Sequence, residues 1–214
     1  MPVVQPPKPR YRIDDLGSSF TVTIPSPKNW FQIVFLGFWL IPWAVGETVA
    51  GTLLISGAIS LVPSALLGRA DAGIATTVAL PGLFLLGWFG LWTVGGGLAG
   101  YSFLWLIAGR EVIEVSALSV AHSRRLFGAG RTKEYLAEHV RDLRSVPLPY
   151  GPFGWATPTS LWGRGFGAIA FDYGARTIRF GAGADEAEAK QIVAAIQQRF
   201  PQYRNTQHEP RKME

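Results

Sequence analysis

The chain contains no cysteine. That excludes disulfides, thiolate catalysis, cysteine-ligated zinc and iron–sulfur clusters. Charge is scarce as well. Asp, Glu, Lys and Arg make up 16% of the 214 residues, against about a quarter in an ordinary soluble domain. The deficit is concentrated in two blocks: Ala72 to Gly109 carries no charged side chain, and Asn29 to Gly68 carries only Glu47. Crossing the hydrocarbon core takes about 20 mostly apolar residues, so the chain reads as built into a membrane. The three histidines, His122, His139 and His208, all lie outside the apolar blocks. Haem and bacteriochlorophyll in membrane helices are usually held by histidine nitrogen. No cofactor is therefore expected, and a pigment would have to contact the spans without a histidine ligand. No carboxylate–histidine spacing suggests a metal site.

What charge there is flanks the apolar blocks. The net charge is +5 and the sequence pI about 9.7, but no basic stripe of the kind that follows a nucleic-acid groove is present. Lys8, Arg10, Arg12 and Lys28 precede the apolar region, Arg110, Arg124 and Arg125 follow it, and Arg69 alone lies between. The positive-inside bias then puts both termini in the cytoplasm and makes the number of spans even. Two spans are expected, over about 30–57 and 78–108, in a bacterial inner membrane. Residues 58–76 read as a far-side connection; a third span over 48–67 is the alternative. Glu47 lies about 25 Å beyond Trp30 at 1.5 Å per residue, which predicts a place near the far interface. The start, MPVVQPPKPRYRIDD, lacks the apolar core of a cleavable signal and reads as a polar arm that stays attached.

Outside the apolar region the period changes to two. Phe20, Val22 and Ile24 alternate with Thr21 and Thr23, so 11–15 and 20–24 read as a short hairpin within an arm over 1–28. From Arg110 to Pro201 about seven short strands are expected, with a tight turn at Asp172-Tyr-Gly174. A helix follows: Asp185 is its cap and Glu188 the matching acid three residues on. Ala189, Ile192, Val193, Ile196 and Phe200 give it one apolar face. Residues 202–214 form a polar tail. The fold class is thus an α+β membrane protein: a two-helix transmembrane hairpin plus a C-terminal β-barrel of pleckstrin-homology (PH) type capped by one amphipathic helix.

This order resembles a group of uncharacterised bacterial membrane proteins with an N-terminal β-hairpin, two transmembrane helices and a PH-like domain. Gly109-Arg-Glu-Val-Ile-Glu114, Gly128-Ala-Gly-Arg-Thr-Lys-Glu-Tyr135, Ile169-Ala-Phe-Asp-Tyr-Gly174, Arg179-Phe-Gly181 and Asp185-Glu-Ala-Glu-Ala-Lys190 carry the likeness. It implies a fold, and neither catalytic residues nor an activity.

The candidate sites are accordingly surfaces. Gly96-x-x-x-Gly100 and Gly95-x-x-x-Ala99 let helix backbones approach closely and are expected to pack on Gly46 and Ala50 of the first span, or on another protein. Trp88 and Trp92 share a helix face and suit a neighbouring subunit. Tyr150, Phe153, Trp155 and Trp162 stand in a Gly/Pro-rich insertion, a length that usually binds something, and are the residue types enriched at interface hot spots. Arg124, Arg125, Arg131 and Lys133 form a basic hairpin suited to lipid heads. Gly163-x-Gly-x-Gly167 and Gly181-x-Gly183 lack the ending of a phosphate loop. The function expected is that of a non-catalytic accessory or scaffold subunit of an inner-membrane complex, photosynthetic or respiratory. Its partners are other integral membrane subunits and lipid, with no nucleic acid. A membrane-tethered module binding anionic lipid heads or a peptide is the alternative.

Overall fold

Residues 9–17, 19–66, 72–147 and 167–204 are described by the structure, a computed structural model. It is mixed α+β, with three α-helices and eight strands among those residues. Two compact units divide it, one drawn from the chain up to Lys28 and from Leu104 onward, the other Asn29 to Phe103.

Helices α1 (Trp30–Leu66) and α2 (Ala72–Ala108) are 37 residues each, about 55 Å at 1.5 Å per residue. Within them, Trp30–Ser60 and Pro81–Ala108 are long and apolar enough to cross a membrane. Their greasy side chains face outward: Phe31, Phe38, Ile59 and Leu83 are 66–75% exposed. The connection expected over 58–76 is mostly helical, since 58–66 belong to α1 and 72–76 to α2. Pro63 lies inside α1, as Pro42 does; each costs one backbone donor, a loss that helices in apolar surroundings tolerate. Residues 48–66 continue α1 unbroken, so no separate helix corresponds to the alternative span over 48–67. Glu47 consequently sits mid-way along the apolar segment Trp30–Ser60 rather than near its far end. The hydroxyls of Thr48, Thr52, Ser56 and Ser60 each donate to the carbonyl four residues back, so these four donors are satisfied within the helix.

In the other unit, strands β1 (Arg12–Asp15), β2 (Phe20–Pro25), β3 (Gly109–Val115), β4 (Ser119–Leu126) and β5 (Ala129–Leu136) form one antiparallel sheet in that order. Strands β6 (Val140–Ser145), β7 (Ile169–Tyr173) and β8 (Arg176–Phe180) form a second. The predicted hairpin is thus present as β1–β2, but it is no detached arm. β2 pairs with β3 from Phe20↔Val115 to Pro25↔Arg110, and Phe20, Val22 and Ile24 enter the same core as Ile113, Ile169, Phe171 and Phe180. A boundary at residue 110 cuts through this sheet. The sheets do not close into a barrel among the described residues: after β5 a 3-10 turn (Ala137–His139) redirects the chain into the second sheet.

Helix α3 (Glu186–Arg199) covers the core with Ala189, Ile192, Val193 and Ile196. The capping box is as the spacing predicts: Glu188 N donates to Asp185 Oδ1 at 2.8 Å and Asp185 N to Glu188 Oε2 at 3.0 Å. Arg10 adds to it through its backbone N (2.8 Å to Glu188 Oε1) and guanidinium (2.9 Å to Oε2). Burial alone would raise the Glu188 carboxyl, but these hydrogen bonds hold it below the ordinary glutamate value. At the other end Arg199 donates to Gly17 O at 2.6 Å. The first strand is therefore clamped along the last helix at both ends.

Helix α2 passes into β3 without an intervening residue. A Cβ on Gly109 would collide with the Trp105 carbonyl oxygen, so glycine is required at that junction. The carbonyls left open at a helix end need partners. Ser26 Oγ donates to Leu106 O at 3.1 Å, and Lys28 Nζ donates to Leu106 O at 2.8 Å and to Ile107 O. A cation also suits the negative end of the helix dipole.

Candidate functional site

In the helical unit, α1 and α2 face each other at four levels. Gly37 meets Phe103, Trp43 meets Gly96, Glu47 meets Thr93 and Gly51 meets Phe89. The residue numbers of each pair add to 139 or 140, the constant sum of an antiparallel register. Three of the levels set a glycine against an aromatic ring. The tightest is Gly96, where an added Cβ would overlap the Trp43 indole. Trp43 Nε1 also donates to Trp92 O at 3.3 Å. The fourth level is polar: Thr93 Oγ1 donates to Glu47 Oε1, while Glu47 Oε2 is enclosed without a hydrogen-bond partner among the described residues.

The predicted packing face is narrower than its motif. Gly96 is buried and carries the contact, whereas a Cβ on Gly95, Gly100 or Gly46 would meet nothing within 4 Å. Ala99 is half-buried. The nearest atoms to Gly96 belong to Trp43, not to Gly46 or Ala50. Small-residue spacing marks where a backbone can be approached and leaves open which side chain does so.

Beside this contact lies an apolar groove of about 250 Å³ lined by Trp39, Trp88, Leu91, Trp92, Gly95 and Gly96. Trp88 stacks on Trp92 and on Phe84 with ring centroids 6.4 Å apart, and Trp39 tilts against Trp92 at 6.1 Å. Trp88 remains 55% exposed and Trp92 37%. Trp39 and Leu91 are the lining residues that sequence reasoning missed; Trp39 lies on α1, and only the packing of α1 on α2 brings it to Trp92.

In the β unit, the pleat divides the basic hairpin. Arg124 lies opposite Glu111 and Arg131, and Lys133 opposite His122, on one face; Arg125 is on the other. The Arg124 guanidinium covers the Trp105 ring at 4.0 Å and approaches Glu111 at 3.8 Å. Arg125 pairs with Glu114 at 3.3 Å. Arg110, Arg131 and Lys133 are exposed. Glu111 is 5% exposed and accepts from Gly181 N at 2.6 Å. His122 stands 3.9 Å from it. Burial lowers the His122 pKa below the ordinary histidine value; Glu111 opposes this, while Arg124 and Lys133 reinforce it. His122 thus sits mostly buried within a cluster of charges that its spacing in the sequence does not reveal.

Two further residues close this hairpin. Phe127 and Gly128 form its two-residue turn with positive φ of 51° and 88°. Asn-Gly is the usual choice there, and a bulky residue in that region is an outlier. Phe127 is also 71% exposed.

The chain matches no family model, no curated protein and no solved structure.

Tyr150, Phe153, Trp155 and Trp162 lie outside the described residues, as does Gly163. Among the described residues no group of three or more His, Cys, Asp or Glu is gathered as a metal would need.

Proposed function

We propose that this chain is a non-catalytic accessory subunit of a bacterial inner-membrane complex, photosynthetic or respiratory in type. Its two long helices cross the membrane as a hairpin, both termini are cytoplasmic, and the β unit braces a cytoplasmic face. The observation that carries this reading is the aromatic groove at Trp39, Trp88 and Trp92. Large exposed indoles around a cavity that size suit a neighbouring transmembrane helix, since between helices in lipid shape fit replaces the hydrophobic drive. The resemblance to bacterial membrane proteins with a hairpin, two spans and a PH-like domain supports it.

The test is affinity purification of the chain from its native membrane in a mild detergent. Stoichiometric integral subunits should accompany it, and Trp88→Ala with Trp92→Ala should release them while the chain stays inserted. A chain that migrates alone overturns the proposal. The second reading, a module that binds anionic lipid heads, draws on the exposed Arg110, Arg131 and Lys133. Charge reversal at these three positions should then weaken binding to anionic vesicles.

A further inference from the structure

We infer that the β4–β5 hairpin is a membrane anchor, with the Phe127 ring inserted among the headgroups of the bilayer that the helices cross. The inference rests on the membrane reading above and adds a third point of attachment to it.

Position comes first. Strand β3 starts at Gly109, the residue after the apolar segment Pro81–Ala108. It runs away from the helix, and β4 returns antiparallel until Leu126 lies opposite Gly109. Phe127 is the next residue, so the turn projects past the helix–strand junction, on the helix side. The Arg124 guanidinium over Trp105 gives the same depth independently, because Trp105 belongs to the last turn of α2. The hairpin tip is therefore level with the end of the apolar segment.

Chemistry comes second. Phe127 is 71% exposed and held at φ 51°, so it is unfavourable both as an apolar group in water and as a bulky residue in a left-handed turn. Among the described residues none covers the Phe127 ring, whereas a headgroup–acyl boundary relieves the first cost. Exposed Arg110 and Arg131 flank the tip, and a cation beside an apolar wedge is the pairing that anionic bilayer surfaces favour. Leu118 provides the contrast. It is 81% exposed at the opposite turn of β3–β4, about 30 Å away along the strands, where no bilayer is expected.

The absence of cysteine allows a direct test on the full chain. Single variants Phe127→Cys, Leu118→Cys and Ile41→Cys carry a nitroxide in vesicles of phosphatidylcholine and phosphatidylglycerol. Relaxation by oxygen, which partitions into lipid, is compared with relaxation by a water-soluble nickel chelate. The oxygen-to-nickel ratio should be several-fold higher at 127 than at 118, and highest at 41. Lipid-like values at 41 with equal, aqueous values at 127 and 118 overturn the anchor and leave the spans standing. An aqueous label at 41 overturns both. Phe127→Asn, which suits the turn and keeps the fold, isolates the ring: a label at Ala129→Cys should shift toward water in that background. An unchanged label there also overturns the anchor.

Discussion

The two units keep their apolar side chains in opposite places. In the helical unit Phe38 and Ile41 are 75% and 66% exposed, while glycines, the rings of Trp43, Phe89 and Phe103 and one polar pair occupy the inter-helix contact. In the β unit Val22, Ile113, Ile169 and Phe171 are 0% exposed, and among the described residues the buried charged side chains are Glu111 and Glu188. Water drives the second arrangement by expelling apolar area. It would not drive the first in a bilayer, where close packing and satisfied donors hold helices together. One chain thus carries two solvent-specific plans, and each has its own characteristic weak point.

The sharpest way to break that contrast is to truncate the same residue type in both plans. Ile113→Ala should destabilise the β unit by about 2–5 kcal/mol, whereas Ile41→Ala should stay within about 0.5 kcal/mol. Denaturant unfolding in detergent, followed by probes in each unit, measures both; equal losses would erase the distinction. Next in size, Gly96→Ala forces a methyl into the Trp43 indole and should loosen the helical pair by about 1–3 kcal/mol. Gly95→Ala meets no neighbour and should be neutral or slightly stabilising, so an equal effect at both positions would discredit the register. Asp185→Ala removes a cap in the β unit and should cost about 0.5–2 kcal/mol, with no change in the helical pair.

The smallest effect is one of pH. Because His122 has a lowered pKa in the folded state, the unfolded chain takes up its proton first as pH falls. Stability of the β unit is then full above the ordinary histidine pKa of about 6.5 and is lost progressively below it. Glu188, also lowered, adds a second loss only below the ordinary glutamate range. Replacing His122 by Phe should flatten the first region and leave the second. A midpoint that does not change between neutral and mildly acidic pH would count against the buried imidazole.

Local signals in the sequence carried the parts of the fold that local physics controls. The capping pair Asp185–Glu188 and the buried stripe from Ala189 to Ile196 follow from helical period alone. The alternation at Phe20, Val22 and Ile24 gives the strand and its inner face. What pairs with that strand is non-local: β3 lies more than eighty residues on, and no pattern in 20–25 names it. Helix ends were misjudged over 58–76, because residues such as Pro63 and Gly73 mark helix ends far better in water than in apolar surroundings. Glu47, placed at an interface by counting from Trp30, moved inward once α1 extended to Leu66. Trp39 and Phe127 were missed for different reasons: Trp39 meets Trp92 only through the packing of two helices, and Phe127 signals nothing until its exposure and backbone angle are known.

β2 and β3 are hydrogen-bonded neighbours, and their last rung is Pro25 opposite Arg110. Seen topologically, everything from Ser26 to Gly109 is the connection of one β-hairpin, enlarged into two helices. Excising 29–108 and joining the strands with a tight turn removes no rung of the sheet. The β unit is then the scaffold and the greasy helices its insertion, so a water-soluble miniature of this protein should be obtainable by deletion alone.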